Sequence, residues 1–168
     1  MAVRLDRRQL PGLNAPRGGV RAAGDPSGAG PVQAMPGHLV RRLQQVAVRL
    51  FAEALGDALT PVQFAALAAI AGEPGMDQAA LSARIGYDRA TIGGVIDRLQ
   101  RRGLLERVPD PADRRLKRVH LTGAGQQLLA ASLPVVADVQ RQLLGPLTER
   151  EQASFERICR KLLDRHHG

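Results

Sequence analysis

Aromatic side chains are almost missing from this chain. Its 168 residues include no Trp, one Tyr and three Phe. A core must therefore be assembled from Leu, Val, Ile and Ala. The length suffices for one domain, or one domain and a tail, to bury such a core. The same scarcity argues against a platform that stacks single-stranded DNA or RNA bases. Cysteine occurs once, at Cys159, which excludes an intramolecular disulfide. No stretch approaches the roughly 20 apolar residues of a membrane span. The N-terminus has no continuous apolar segment of signal-peptide type. These absences lead us to expect a cytoplasmic protein with no membrane partner. Also missing are a Gly-rich phosphate loop, a Ser/His/Asp or Cys/His set, and paired carboxylates in an apolar setting. We therefore expect no catalytic residue, no cofactor and no enzyme. His120, His166 and His167 lack a Cys or carboxylate at ligand spacing, so no metal site is expected.

What is present is positive charge. The formal net charge is +8 and the pI is near 11.2. Such a balance suits nucleic acid or an anionic membrane surface. Its placement favours the first. Between Arg84 and Arg118 ten Lys/Arg stand against five Asp/Glu, a net +5.

Residues 1–36 are dense in Gly, Pro and Arg and have no apolar period, so they read as a disordered basic arm. Arg4, Arg7, Arg8, Arg17 and Arg21 against Asp6 and Asp25 give it a net +3. It is either a solvated tail, the product of an upstream start codon that is not used, or an arm that adds non-specific DNA affinity. Residues 38–55 predict a helix with Leu39, Leu43, Val46, Leu50 and Ala54 on an apolar stripe. His38, Arg42, Gln45 and Arg49 form a polar stripe at the same spacing. Thr60 and Gln63, with Pro61 in the first turn, make a capping box for a second, nearly all-apolar helix that should be buried.

Asp77 caps a short helix, 78–85, with Ala80, Leu81 and Ile85 expected inward. After Gly86 and Tyr87, Asp88 caps another, ending near Gly103. Ile92, Ile96 and Leu99 fall on its buried stripe, and Thr91, Gly94, Arg98 and Arg101 face outward. Residues 104–108 and 119–122 predict strands, and 109–118 a charged turn. Two short helices joined by a tight turn and followed by a hairpin are a winged helix-turn-helix. Thr122 opens a long helix to about residue 145, with Leu129, Leu133, Val136 and Leu143 on one side and a kink expected at Pro134. A second capping box, Thr148 and Glu151, opens a last helix with Phe155, Ile158 and Leu162 inward. The fold class is thus mainly α with a small β-hairpin wing. The first and the last two helices carry more apolar surface than one small module covers, which implies a homodimer.

The stretches LTPVQFAALAAI and DQAALSARIGYDRATIGGVIDRLQRRGLLERVPDPADRRLKRVHLTGAG resemble the MarR family of bacterial transcription regulators. The specific elements are Thr91, Asp97-Arg98-Leu99, Gly103, the wing signature Asp113-Arg114-Arg115, and Leu121-Thr122 with Gly125. The resemblance covers about residues 38–165. It implies a MarR-like domain over 37–168, with a winged helix-turn-helix at about 58–121 and dimerisation helices at about 38–55 and 122–165. It also implies an obligate homodimer that represses genes from a pseudo-palindromic operator in double-stranded DNA, and release by a small aromatic or anionic ligand.

Carried onto this chain, the pattern sets Arg89, Ala90, Thr91 and Gly94 at the major-groove floor, with Arg89 as a guanine or phosphate contact. Arg115 would enter the minor groove, with Arg114, Lys117 and Arg118 on phosphates. Arg98, also on the DNA-facing helix, would pair with Asp113 and set the wing angle; otherwise the two are solvated surface charges. Gly93-Gly94 serves either close approach to DNA or packing against a neighbouring helix. A carboxylate ligand needs a rigid cation, and His38, Arg42 and Arg49 on the first helix are the candidates. Phe51, Phe64 and Tyr87 are candidates for the apolar wall. Cys159 reads as a small buried hydrophobe rather than a redox sensor. The competing readings are a winged-helix module that binds protein, and an architectural DNA-binding module with no ligand.

Overall fold

Capping chemistry sets most of the helix boundaries. In the computed structural model, which describes residues 32–166, six helices and one hairpin follow in order. They are α1 (Pro36–Leu55), α2 (Pro61–Gly72), α3 (Gln78–Ile85), α4 (Arg89–Arg101), β1 (Leu105–Pro109), β2 (Lys117–Leu121), α5 (Gly123–Leu144) and α6 (Glu149–His166). The chain is mainly α with a two-stranded wing, as expected. Residues 1–31, most of the expected arm, lie outside the described residues. Its last residue, Pro36, already belongs to α1, which starts two residues before the expected 38.

The Thr60 box is complete: the Gln63 amide donates to the Thr60 hydroxyl at 3.3 Å and the Thr60 amide to Gln63 Oε1 at 3.0 Å. Losing such a cap costs about 1 kcal/mol. The Thr148 box closes in the same way through Glu151, whose carboxyl is held below its usual value first by the Thr148 amide and then by its hydroxyl. Thr122 caps α5 by accepting from the Gly125 amide at 3.1 Å. Pro134 sits inside α5 without interrupting it.

The hairpin is antiparallel, with Leu105 opposite Leu121 and Pro109 opposite Lys117. The strands run further into the charged turn than its polarity suggested, so the connecting loop is 110–116. Leu105 and Val119 point into the core on alternate positions. The core holds Leu59, Leu67, Ile70, Leu81, Ile92, Val95, Ile96, Leu99, Leu105 and Val119, all almost fully enclosed. Burying one such side chain contributes roughly 1.5–3 kcal/mol.

Apart from Leu129 of α5, every residue of that buried cluster lies between Leu59 and Val119. The flanking helices carry apolar side chains that the single chain leaves uncovered, and of these Ile158 and Leu162 were expected inward. Leu39, Leu43, Val46, Leu133, Ile158 and Leu162 are all exposed on the single chain, as is Ala54. Leu50, Phe51 and Val139 are buried, because α1 packs along α5. In α3 the expected Ala80 is exposed and Ser82 is buried instead. Its hydroxyl donates to the Tyr87 carbonyl at 2.6 Å, which draws it under the turn.

α5 meets the wing at a backbone contact. A Cβ on Gly125 would overlap the carbonyl oxygen of Leu104, so only glycine allows this approach. Beside it the Thr122 amide donates to the same carbonyl at 3.2 Å, and the Thr122 hydroxyl to the Gly103 carbonyl at 2.6 Å.

Candidate nucleic-acid interface

The helix-turn-helix is shaped by two acidic caps and one left-handed glycine. Asp77 Oδ1 accepts the Ala80 amide at 2.8 Å and starts α3. Gly86, at φ 71°, turns the chain out of α3 in a conformation that an L side chain rarely adopts. Asp88 then starts α4. One of its oxygens accepts the Thr91 amide at 2.9 Å and the other the Thr91 hydroxyl at 2.5 Å. That hydroxyl bond first, and the amide second, hold the Asp88 carboxyl below its usual value. A depressed folded value means that the cap's contribution is complete above the usual carboxylate range. It is lost as pH falls through the lowered value. Gln78 Nε2 donates to the Arg89 carbonyl at 2.9 Å and ties α3 to the first turn of α4.

The two mid-helix glycines face different things. A Cβ on Gly93 would stand 3.0 Å from the Gln78 amide nitrogen, so Gly93 makes room for α3. A Cβ on Gly94 would meet only the Arg98 guanidinium at 3.6 Å, an ordinary contact at the surface.

The charges of this region divide into two groups. Arg84 pairs with Glu73 at 3.3 Å, and Arg102 donates to the Ala58 carbonyl at 2.7 Å. Arg107 reaches back from β1 to Asp97 at 2.6 Å and Gln100 at 2.9 Å, bracing the wing on α4. Arg118 bonds Asp110 at 2.5 Å and the Gly75 carbonyl at 3.0 Å. Arg89, Arg98, Arg101, Arg114, Arg115 and Lys117 have no ion-pair partner among the described residues. They lie on α4 and the wing. Of the five acids, four are used internally: Asp88 as a cap, Asp97 and Asp110 in pairs, and Asp113 in accepting the Arg115 amide at 3.0 Å.

One expectation is corrected by this network. Asp113 does not pair with Arg98, because its carboxylate folds back onto its own turn. The carboxylate that organises the wing is Asp110. It accepts the Ala112 amide at 2.7 Å and the Asp113 amide at 3.2 Å as well as Arg118. The Ala112 amide, then the Arg118 hydrogen bond, hold its carboxyl below the usual value. Arg118, expected on a phosphate, bonds Asp110 and the Gly75 carbonyl while its side chain stays 42% exposed. A signal for Asp110 was present: an Asp opening a loop bonds the amide two residues on. Nothing in the spacing marked Arg107 as the brace to Asp97.

The six candidate ligand residues do not form one cluster. Phe51 and Phe64 meet edge to face with ring centroids 5.9 Å apart. His38 contacts Arg41 at 3.4 Å, and Arg49 pairs with Glu53 at 3.8 Å, both on the exposed face of α1. Arg42 is exposed there too, and Tyr87 lies in the turn between α3 and α4. A cleft of about 260 Å³ opens between α2, β2 and α5, lined by Ile70, Pro74, His120 and Gln126 among others, and none of the six lines it. Cys159 is half-buried. Among the described residues no helix is long and apolar enough to cross a membrane.

A helix-turn-helix with a two-stranded wing and a basic outer surface defines the class as winged-helix transcriptional regulators rather than enzymes. The MarR family model matches residues 59–116, which hold α2, α3, α4, β1 and the wing loop. The transcriptional regulator HosA of Escherichia coli O111:H- is 37% identical over 127 residues, covering 76% of this chain and 93% of HosA. Among solved structures, the PcaV regulator of Streptomyces coelicolor with its natural ligand superposes with a TM-score of 0.76 at 39% identity, over 81% of this chain and 96% of PcaV. Bordetella bronchiseptica BpsR, whose DNA binding is regulated by 6-hydroxynicotinic acid, gives a TM-score of 0.72 at 34% identity, over 75% of this chain and 96% of BpsR. The chain belongs to the MarR family of transcriptional regulators.

Proposed function

We propose that the chain is a repressor that binds a pseudo-palindromic operator as a homodimer and is released by a small aromatic acid. The observation that carries the DNA reading is the division of charge. Four of the five acids among the ten cations of 84–118 are engaged by partners within the chain, while six cations on α4 and the wing keep no acidic partner among the described residues. Such a surface neutralises phosphates and releases counterions. In this reading Arg89 with Ala90, Thr91 and Gly94 meets the major groove. Arg115 enters the minor groove, and Arg98, Arg114 and Lys117 hold phosphates. Gly94, open to the surface, lets α4 sit close to the bases.

The dimer is supported by the apolar side chains that α1, α5 and α6 leave exposed, among them Leu39, Leu43, Leu133, Ile158 and Leu162. Two copies would set two α4 helices about one helical turn of DNA apart. BpsR's response to 6-hydroxynicotinic acid supports an aromatic acid as the ligand class. For the ligand cation we retain α1, where Arg42 is the exposed arginine with no internal partner among the described residues.

The experiment is titration of the chain onto duplex DNA from the region beside its own gene, at several salt concentrations. Affinity should fall steeply with salt, with a slope that reports several phosphates. A flat salt dependence would overturn the DNA reading and favour a protein partner.

A further inference from the structure

We propose that Asp110 and Arg118 form a latch that sets the pose of the wing, so that Arg118 serves DNA binding by positioning and not by touching phosphate. This rests on the DNA-binding reading above. The Asp110 side chain is only 7% exposed, although it sits in the loop between two strands. One oxygen gathers the Ala112 and Asp113 amides, and the other takes Arg118 Nε. The Asp110 amide donates to the Leu116 carbonyl at 3.0 Å and closes the same loop from the opposite side. One carboxylate thus fixes the loop that carries Arg114 and Arg115.

Arg118 extends this hold out of the wing. Its Nη1 donates to the Gly75 carbonyl, in the connection between α2 and α3. Two backbone bonds run beside it, from the Gly75 amide to the Val119 carbonyl at 3.1 Å and from the Val119 amide to the Met76 carbonyl at 3.0 Å. Two residues on, Asp77 caps α3. The wing tip is therefore connected through Asp110, Arg118 and Gly75 to the start of the helix-turn-helix. Arg107, bonded to Asp97 and Gln100, ties the other strand to α4. The planar guanidinium is what allows one side chain to hold a carboxylate and a carbonyl at once.

The test compares Asp110→Asn and Arg118→Lys with the wild-type full chain, on operator duplex and in amide hydrogen exchange. If Arg118 were a phosphate contact restrained by Asp110, Asp110→Asn would release a cation and tighten binding. The latch requires the opposite sign, with affinity roughly tenfold weaker. Arg118→Lys keeps the charge but loses the two-way geometry. The latch predicts a comparable loss with the salt slope unchanged, and the phosphate reading predicts near wild-type affinity. Exchange at the Ala112, Asp113 and Val119 amides should speed up in both variants, with or without DNA. Equal or tighter binding by Asp110→Asn, or wild-type affinity and exchange in Arg118→Lys, overturns the latch. Should Asp110→Asn fail to fold, Arg118→Lys decides alone. Should the wild type not bind duplex DNA, the DNA reading falls and the exchange measurement decides the latch.

Discussion

The winged module and the helices around it are finished to different degrees. Between Leu59 and Val119 the chain closes its own core, caps its own helices and gives most of its own acids an ion-pair or hydrogen-bond partner. α1, α5 and α6 are equally regular helices, yet they leave Leu39, Leu133, Ile158 and Leu162 in water. α6 makes no extensive contact with another element among the described residues. The difference lies in what completes each part. The module is completed by its own sequence, and in our reading the frame is completed by a second copy.

That contrast can be broken at the frame with the largest effect. Replacing both Ile158 and Leu162 with Glu should convert the dimer to monomer on a sizing column and remove operator binding, while the winged module keeps its fold. A persisting dimer would move the seam away from α6. Within the module the effect should be smaller. Arg115→Ala is expected to weaken operator binding several-fold, about the worth of one groove contact, without unfolding or monomerisation. Unchanged affinity would remove the wing tip from the interface. The smallest effect on DNA should come from Arg42→Ala in the frame. Operator affinity should match the wild type, while 6-hydroxynicotinic acid or a related aromatic acid no longer releases the DNA. Normal release by the variant would place the ligand cation elsewhere.

Local chemistry was easy to read before folding was considered. Thr60 with Gln63, Thr148 with Glu151, and the caps Asp77, Asp88 and Thr122 all act as their spacing implies. They satisfy backbone donors only a few residues away, so no tertiary information is needed. The stripe Ile92, Ile96 and Leu99 was legible for the same reason. An apolar stripe on α1 or α6 was visible too, but periodicity names a face and not the surface that covers it. Ion pairs were the least legible part. Asp113 and Asp110 sit three residues apart in one loop, and only the path of that loop determines which of them meets an arginine. Gly93 and Gly94 are indistinguishable as text, yet one faces Gln78 and the other the surface.

The contact of Gly125 with the Leu104 carbonyl sets a mechanical condition on the molecule. Side-chain packing between two elements has some compliance, because rotamers and small gaps absorb a shift. Here backbone touches backbone, and Thr122 is bonded across the same joint to Gly103 and Leu104. The first turn of α5 and the exit of α4 must therefore travel as one rigid piece or come apart. No side-chain adjustment at position 125 can tune the joint.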